Sequence, residues 1–512
     1  MGTWCSSLFS HAHAPSSHAP FHTQQNELRI DTLPTGPGVV VTVRAREEGG
    51  WREKRRQNLR RGAPPLPSLN LTCSLHLSTQ LEDGAAEIFG AELTLGAPRP
   101  VPGGCPFAIF TWEGAVISLS PGAPAGGDPA TAAPVPWAAA VRLVYEADAT
   151  PMPHYLAAHH ALEAAREAAL ASADGAHGPR AMVVGPTDAG KSTISRVLLN
   201  YAHRGQWECT AVDLDVGQGG ITVPGTLCAA PVSGPVGPAA ESLASDASAP
   251  PLAFYFGHAS PSENPALFRF CVDRLGGLLA ARAAATPPRS RARAAGWVTN
   301  WMGWCEGLGY DLLLHAVGAL AVDTLFVVGD EALAARLASD LSAAPAAAAP
   351  RPPRVVTLPR SPGVTARDQA TRAADRAGRV REYFYGPPTG PPLSPVMTRV
   401  KAADLARAVH RAGGGPRAPA TALPIGAAAV SDPLRIAPLP APPGADLVHS
   451  LLAVSHAAEA ATLASTNIAG FLYVAGYEPA GGGTFSVLAP CAGPRPGDLL
   501  LAGTIKVAGV CD

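Results

Sequence analysis

The sequence predicts an α/β protein in which a central parallel sheet lies between a small N-terminal β-sandwich and a mostly β C-terminal domain. Short alternating runs before residue 145 indicate the sandwich, and alternating strand and helix patterns from 181 to about 390 indicate the sheet. Beyond 395 the helical periodicity fades. A chain of 512 residues has room for about three domains. We expect them over 1–145, 146–392 and 393–512.

The N-terminal region has short apolar or alternating runs between Gly- and Pro-rich turns, which is typical of antiparallel strands. These runs lie at 28–30, 39–43, 75–81, 91–95, 108–112 and 116–119. A strongly charged, basic segment near 44–68 interrupts them. Two interpretations of this insertion stay open: an RNA-binding arm, or a solvated or misjoined segment with no binding role.

Residues 185–192 read G-P-T-D-A-G-K-S, a complete Walker A phosphate loop, and an apolar strand at 181–184 precedes them. An amphipathic helix follows, with its apolar stripe at Ile194, Val197, Leu198 and Tyr201. In this setting the loop N–H groups bind a polyphosphate, Lys191 reaches its β and γ phosphates, and the Ser192 hydroxyl ligates Mg²⁺. The central sheet is therefore predicted to be a P-loop NTPase sheet.

The middle and C-terminal regions differ in how strands and helices follow one another. Middle-domain strands are predicted at 181–184, 210–215, 252–256, 297–300, 324–328 and 354–358. The helices between them are predicted at 155–170, 191–202, 310–320 and 331–341. Such alternation predicts a parallel sheet with helices on both faces. Beyond it, strands are predicted at 447–454, 468–474, 485–488 and 499–507.

A second informative run, the acidic sequence V-D-L-D-V-G-Q-G at 212–219, follows the P-loop helix. We expect its strand to lie next to the P-loop strand, with Asp215 at the strand tip where a Walker B aspartate contacts Mg²⁺. Asp213, one alternation back, would point to the same face. The chain has no N-K-x-D guanine motif, so ATP is the expected nucleotide.

An arginine-rich helix near 360–382 is a candidate lid over the transferred phosphoryl group. Arg372 and Arg376 are four residues apart and therefore lie on one helical face. Two guanidinium groups there would grip non-bridging phosphate oxygens in a geometry that lysine lacks. A solvated basic helix is the alternative interpretation.

Composition excludes several classes of function. The net charge is −1, so no global field attracts nucleic acid and any RNA site must be local. No run of about 18 apolar residues is present, so we expect no membrane partner. The nine cysteines are scattered singly without a C-x-x-C pair, which favours a reducing compartment.

Several longer runs occur in order along the chain. The middle domain contains GPTDAGKST (185–193), LDVGQG (214–219), ITVPGT (221–226), YFGH (255–258) and REYFYG (381–386). The flanking domains contain AEIFGAEL (86–93), IFTWEG (109–114), LVHSLLAVS (447–455) and NIAGF (467–471). Together they resemble the polyribonucleotide 5′-hydroxyl kinase family, whose eukaryotic members are subunits of the pre-mRNA 3′-end cleavage factor. The resemblance covers the chain outside 32–68 and the alanine-rich loops.

The resemblance implies that ATP and Mg²⁺ bind the P-loop and that the γ-phosphoryl group passes to the 5′-hydroxyl of an RNA end. The implied nucleotide-binding residues are Glu27, Gly185, Pro186, Thr187, Asp188, Ala189, Gly190, Lys191, Ser192 and Thr193. The implied metal ligands are Ser192 and Asp215, and the implied catalytic residues are Lys191, Asp215, Arg372 and Arg376. Asp188 would bond the lid or the acceptor side, and Gln218 and Trp304 would contact the RNA.

The family's T-x-G-W clasp for the terminal nucleotide corresponds here to Trp301-Met302-Gly303-Trp304. Trp304 is retained and would stack on any base. Trp301 replaces the threonine, removes a hydroxyl and adds bulk. We therefore expect altered or weaker RNA binding, which Trp301→Thr should restore.

Two functions follow from the resemblance. One is an active RNA 5′-kinase in a nuclear 3′-end processing assembly, or in a tRNA-splicing assembly, with RNA ends and other cleavage-factor subunits as partners. The other is a catalytically silent ATP-binding scaffold in the cleavage factor. The retained Lys191, Ser192 and Asp215 favour the kinase, and Trp301 favours the scaffold.

Overall fold

The structure of the protein is a computed structural model. It describes residues 26–32, 39–45, 70–73, 77–103, 105–112, 115–121, 141–143, 150–172, 176–237, 250–343, 352–387, 392–412, 434, 436–439 and 443–511. The predicted insertion near 44–68 lies almost entirely outside these stretches. Among the described residues, none of the helices combines the length and apolar composition needed to cross a membrane.

In the part of the chain that the structure describes, the predicted N-terminal sandwich is confirmed as two five-stranded antiparallel sheets. Its strands are β1 (Asn26–Thr32), β2 (Val39–Ala45), β3 (Asn70–Cys73), β4 (Leu77–Gly84), β5 (Glu87–Ile88), β6 (Ala91–Glu92), β7 (Pro98–Val101), β8 (Phe107–Phe110), β9 (Ala115–Pro121) and β10 (Val141–Leu143). One sheet has the order β1-β2-β9-β4-β7 and the other β10-β3-β8-β5-β6. Alternate residues such as Leu77, Ile88, Phe107 and Ile117 form the core between them.

The described residues of the middle domain form a seven-stranded sheet in the order β14-β13-β12-β15-β11-β16-β17, with helices packed on it. Its strands are β11 (Arg180–Val184), β12 (Thr210–Asp213), β13 (Thr226–Pro231), β14 (Leu252–Tyr255), β15 (Trp297–Asn300), β16 (Thr324–Val328) and β17 (Arg354–Leu358). The predicted α/β class and strand positions are confirmed. The strand that carries the acidic run, β12, ends at Asp213, two residues earlier than the predicted end at residue 215.

Two details of the predicted sheet were wrong. The sheet is not wholly parallel, because β13 pairs antiparallel with both β12 and β14. The segment between β12 and β13 contains no crossover helix, and only such a connection would have brought the chain back in the parallel direction. In addition, β12 does not neighbour the P-loop strand β11, because β15 lies between them.

Helices cover both faces of the sheet. They are α1 (Met152–Ala171), α2 (Lys191–Arg204), α3 (Pro265–Ala285), α4 (Arg291–Ala294), α5 (Leu308–Ala319), α6 (Glu331–Ala343) and α7 (Gln369–Tyr385). A further helix, α8 (Ala402–Ala408), packs instead in the core of the C-terminal domain. Alternate residues of β11 enter different cores, with Val183 on the side of α1 and α2 and Val184 on the side of α3 and α5. A strand buried on both faces explains the continuous apolar run before the phosphate loop.

The described residues of the C-terminal domain include a second seven-stranded sheet in the order β18-β23-β22-β21-β24-β19-β20. Its strands are β18 (Val396–Lys401), β19 (Val409–Ala412), β20 (Ile436–Pro438), β21 (Ser450–Ser455), β22 (Ile468–Glu478), β23 (Thr484–Ala489) and β24 (Leu500–Lys506). Leu451, Phe471 and Tyr473 join the same core as α1 and α2. The C-terminal sheet is therefore packed on one face of the P-loop domain.

The A-E-I-F-G run attaches the N-terminal sandwich to the P-loop helix. Glu87 is almost fully buried and accepts hydrogen bonds from the Tyr201 hydroxyl at 2.5 Å and the Arg204 guanidinium at 2.7 Å. The Asn200 amide donates to the carbonyl of Phe89 at 2.9 Å. Burial raises the pKa of Glu87, and the bonds from Tyr201 and Arg204 oppose that rise. The sandwich is thus held on the helix that starts at the phosphate loop.

The Y-F-G-H run attaches the C-terminal domain. The Gly257 carbonyl accepts a hydrogen bond from the Thr504 amide at 2.8 Å, and the Tyr255 hydroxyl donates to the Leu451 carbonyl at 3.0 Å. A Cβ atom on Gly503 would overlap the Gly257 carbonyl. Both glycines are therefore required by the close approach of two backbones.

Candidate nucleotide and phosphoryl-transfer site

The phosphate loop connects β11 to α2 at the C-terminal edge of the sheet. Its backbone turns through three residues with positive φ: Gly185 at 154°, Asp188 at 54° and Gly190 at 92°. Gly190 forms the N-terminal cap of α2. This arrangement places the free N–H groups and the positive end of the helix around one concavity, which suits an anion.

Lys191 lies at the mouth of this concavity and is only 7% exposed. Its Nζ donates a hydrogen bond to the Pro186 carbonyl at 2.7 Å. Burial lowers the pKa of Lys191, and the charge of Asp215 opposes that change. The ammonium group is therefore fixed between the phosphate loop and the acidic segment.

Asp213 organises the acidic segment rather than facing a ligand itself. Its carboxylate accepts hydrogen bonds from the backbone amides of Asp215 at 3.1 Å and Gly220 at 2.5 Å, and from the Asn300 amide at 3.0 Å. Burial and the nearby charge of Asp215 raise the pKa of Asp213 to about 6. The buried carboxylate thus holds the whole turn that follows β12.

Asp215 is half-buried on that turn, and its Oδ1 accepts a hydrogen bond from the Gly217 amide at 3.1 Å. Burial raises its pKa, and the charge of Lys191 opposes that rise. Asp215 therefore offers a carboxylate oxygen on the side of the phosphate loop.

Gln218 is the next predicted site residue. Its backbone amide donates to the Asp215 carbonyl at 3.3 Å, and its side-chain Oε1 is buried with no hydrogen-bond partner in the described part of the chain. An unsatisfied buried acceptor costs about 1–3 kcal/mol. This orphaned oxygen is consistent with a ligand or water that completes the site.

Sequence reasoning missed Asn300. It ends β15, the strand beside β11, and its Oδ1 accepts a hydrogen bond from the Ser192 hydroxyl at 3.4 Å. A polar residue at the end of an apolar strand was the available signal, because the C-terminal ends of parallel strands meet at the ligand-binding edge. Strand order alone decides that this end faces Ser192.

These oxygen ligands fit a magnesium–nucleotide complex. Within the described residues no cluster of three or more His, Cys, Asp or Glu side chains is arranged to hold a metal by itself. Mg²⁺ commonly uses one or two protein oxygens together with substrate phosphates. The Ser192 hydroxyl and the Asp215 carboxylate supply that kind of partial coordination beside an anion cradle.

The predicted lid lies against the phosphate loop. Asp188, whose side chain is 11% exposed, accepts hydrogen bonds from the Arg367 amide at 3.0 Å and the Arg372 guanidinium at 2.6 Å. Burial alone would raise the pKa of Asp188, but these bonds and the two arginine charges hold it below its usual range. Val364 packs over Gly190. Asp188 therefore holds the segment before α7 on the loop.

The two predicted lid arginines have different surroundings. Arg372 bonds Asp188, whereas Arg376, one turn along α7 and half-buried, makes no hydrogen bond or ion pair with the described residues. The structure thus does not place both guanidinium groups on one partner. Glu27 lies on β1, and its side chain is outside the part of the chain that the structure describes.

Replacing Asp188 by asparagine is expected to release the lid. Losing a charge-assisted bond to Arg372 costs about 1.5–3 kcal/mol, which corresponds to roughly 10- to 100-fold faster amide hydrogen exchange over residues 361–376. Asp375→Asn is the matched control, because Asp375 is 43% exposed and bonds Arg367 on the surface. Equal exchange in the two variants would contradict a latch role for Asp188.

The clasp segment departs from the interpretation based on sequence. Trp301 is fully buried, packs edge-on against Phe268 at 6.2 Å, and donates its Nε1–H to the Trp304 carbonyl at 3.3 Å. Its bulk therefore fills the apolar core beneath the loop. Gly303 touches the phosphate loop, since a Cβ there would lie 2.7 Å from the Thr187 Cα. Trp304 is half-buried against Gly309.

Three family models match consecutive parts of the chain. Residues 69–169 match the N-terminal β-sandwich domain of polyadenylation factor, and residues 185–386 match the mRNA cleavage and polyadenylation factor CLP1 P-loop. Residues 393–507 match the pre-mRNA cleavage complex II protein Clp1.

Full-length relatives show the same similarity. The Arabidopsis thaliana Protein CLP1 homolog is 40% identical over 84% of this chain and 89% of its own length. The Homo sapiens polyribonucleotide 5′-hydroxyl-kinase Clp1 is 36% identical over 84% of this chain and 92% of its own length. The solved complex of wild-type Clp1p with a Pcf11p fragment matches with a TM-score of 0.66 and 22% identity, over 86% of this chain and 96% of that one.

Proposed function

This chain belongs to the CLP1 family, and from that premise we propose that it is an ATP-dependent polyribonucleotide 5′-hydroxyl kinase and a subunit of the pre-mRNA 3′-end cleavage machinery. The observation that carries the proposal is the convergence of three groups at one edge of the sheet. These groups are the phosphate loop, the carboxylate of Asp215 and the lid held by Asp188. Nuclear location follows from this role.

The nucleotide would bind on the side of α2. The residues proposed to hold ATP are Gly185, Pro186, Thr187, Asp188, Ala189, Gly190, Lys191, Ser192 and Thr193, with Glu27 proposed for the adenine side. Most of these contribute backbone N–H groups, because the loop turns them toward one point. Lys191 supplies the positive charge that two adjacent phosphates require.

Ser192 and Asp215 are the proposed metal ligands. A bound Mg²⁺ would offset the phosphate charge and polarise the γ-phosphoryl group. Asp213 keeps Asp215 in place through its backbone amide, and Asn300 lies against Ser192. The two ligands therefore come from the start of α2 and from the turn after β12, at one edge of the sheet.

Phosphoryl transfer would begin when Asp215 accepts the proton of the RNA 5′-hydroxyl. The hydroxyl oxygen then forms a bond to the γ-phosphorus, the bond from that phosphorus to the β-γ bridging oxygen breaks, and ADP leaves with the bonding electrons. Burial raises the pKa of Asp215 in the metal-free site, which favours proton acceptance, whereas the charge of a bound Mg²⁺ would oppose that rise. Gln218 and Trp304 are proposed to position the terminal nucleotide.

The lid would stabilise the charge that develops on the transferred group. Arg372 and Arg376 are proposed to bind its equatorial oxygens, since planar guanidinium groups suit phosphate. Arg376 has no ionic partner among the described residues, so its charge is available to an anion. Arg372 would exchange its contact with Asp188 for a phosphate contact, or retain it and orient the helix.

The deciding experiment incubates the purified protein with γ-labelled ATP, Mg²⁺ and a 5′-hydroxyl oligoribonucleotide. We expect label on the RNA, and none on the same oligonucleotide carrying a 5′-phosphate. Tight ATP binding with no labelled RNA would refute the kinase and support the silent scaffold. Association with a Pcf11-type partner, which the solved relative binds, would be expected in both cases.

A further inference from the structure

Asn300 lies between the two halves of the proposed metal site. It stands at the C-terminal end of β15, which pairs with β11 on one side and β12 on the other. Its Oδ1 faces the Ser192 hydroxyl at 3.4 Å, and its Nδ2 donates to Asp213 Oδ1 at 3.0 Å. One amide thus connects the phosphate-loop helix with the buried carboxylate of the acidic segment.

The chemistry of a serine ligand explains why an acceptor is needed here. A hydroxyl that binds a cation uses an oxygen lone pair, and its proton must then be donated to another acceptor. Asn300 Oδ1 is the acceptor that the structure places beside Ser192. The distance of 3.4 Å is long for such a bond, so we expect it to shorten when a cation draws on the hydroxyl oxygen.

A 180° flip of the Asn300 amide would break its hydrogen bond to Asp213. Asp213 in its ionised form can only accept hydrogen bonds, so the side of Asn300 that faces it must be the NH₂ group. Asp213 is itself fixed by the backbone amides of Asp215 and Gly220. The oxygen of Asn300 is consequently directed at Ser192 by a chain of contacts that begins in the sheet.

We infer that Asn300 is a positioning residue for the divalent cation, acting through the Ser192 hydroxyl, whose proton it accepts. This inference rests on the proposed binding of a magnesium–ATP complex. Outer-shell partners of metal ligands typically change metal affinity by about 10- to 100-fold when they are removed. Asn300 should therefore govern how much Mg²⁺ strengthens ATP binding, while having little effect on ATP binding without the metal.

Calorimetric titration of ATP into the full chain tests this, in EDTA and in excess Mg²⁺, without RNA. For Asn300→Ala we expect the affinity in EDTA to stay within about twofold of the parent, and the gain from Mg²⁺ to fall about tenfold. Asn300→Gln retains both an acceptor for the Ser192 proton and an NH₂ donor for Asp213, and should keep more of the gain than the alanine variant. Thr299→Val is the matched control, since this neighbouring hydroxyl is buried without a partner among the described residues.

The outcomes separate the alternatives. An unchanged Mg²⁺ gain in Asn300→Ala would overturn the inference. So would an equal loss in the alanine and glutamine variants, or a loss of metal-free binding, because neither is expected of a residue that acts through its amide on the Ser192 hydroxyl. These titrations contain no RNA, so their result does not depend on kinase activity. A protein without kinase activity would refute the proposed function, but the effect of Asn300 on Mg²⁺-dependent ATP binding could still be measured.

Discussion

Replacement of Asp215 by asparagine is expected to lower the rate of phosphoryl transfer to a 5′-hydroxyl RNA by about 10²- to 10⁴-fold, the usual contribution of a general base. The amide oxygen of asparagine can still accept the hydrogen bond from Gly217, so the turn should keep its shape. It cannot accept the proton of the RNA hydroxyl. We therefore expect ATP to bind while transfer fails.

Single-turnover transfer of labelled phosphate, alongside ATP titration, is the measurement. Asp323→Asn is the control, because Asp323 precedes β16 at the opposite edge of the same sheet, where its carboxylate accepts from the Arg180 amide. That variant should transfer at close to the parent rate. Equal rates in the Asp215 and Asp323 variants would exclude Asp215 as the base.

The pH profile gives a second measure of the same residue. Burial raises the pKa of Asp215, so its carboxylate is protonated at a higher pH than an ordinary aspartate. Parent activity should accordingly fall as the pH drops through the pKa of Asp215, which bound Mg²⁺ would lower from the raised value of the metal-free site. The residual activity of the asparagine variant, which has no such carboxylate, should not show this fall at low pH.

Replacement of Trp301 by threonine is expected to lower the free energy of unfolding by about 3–5 kcal/mol, the cost of truncating a large buried aromatic side chain. The indole is fully buried and makes an edge contact with Phe268. Its loss would also leave the Trp304 carbonyl without the Nε1 donor. No gain in RNA affinity should follow, contrary to the expectation from the clasp motif.

Denaturant unfolding together with binding of a 5′-hydroxyl oligoribonucleotide would measure both effects. Trp304→Ala provides the contrast, because its half-buried ring is the one proposed to stack on a base. It should lose about 1–3 kcal/mol of RNA binding and less stability than Trp301→Thr. Higher RNA affinity in Trp301→Thr without loss of stability would restore the clasp interpretation.

Local chemistry made much of this protein predictable from its sequence. The phosphate loop, the apolar strand before it and the amphipathic helix after it depend on neighbouring residues, so periodicity and turn residues were sufficient. The β-rich flanking domains were recognisable for the same reason. Asp215 was found because an acidic residue closely followed an apolar strand.

Contacts between distant segments were decided only by the tertiary structure. The sequence does not encode strand order locally, so the insertion of β15 between β11 and β12, and with it the role of Asn300, depends on pairing across more than 80 residues. The sequence analysis predicted no strand at β13, and the antiparallel direction of this strand could not be predicted because periodicity carries no direction.

What the sequence determined by itself was the kind of chemistry: an anion-binding loop, a nearby carboxylate and arginines on a helix. What the tertiary structure decided was which side each group faces. Trp301 turned into the core because the space beneath the loop is apolar, and Asp188 turned to Arg372 because the lid folds onto the phosphate loop. The direction in which a side chain points depends on how it packs against its neighbours, and those neighbours come from distant parts of the chain.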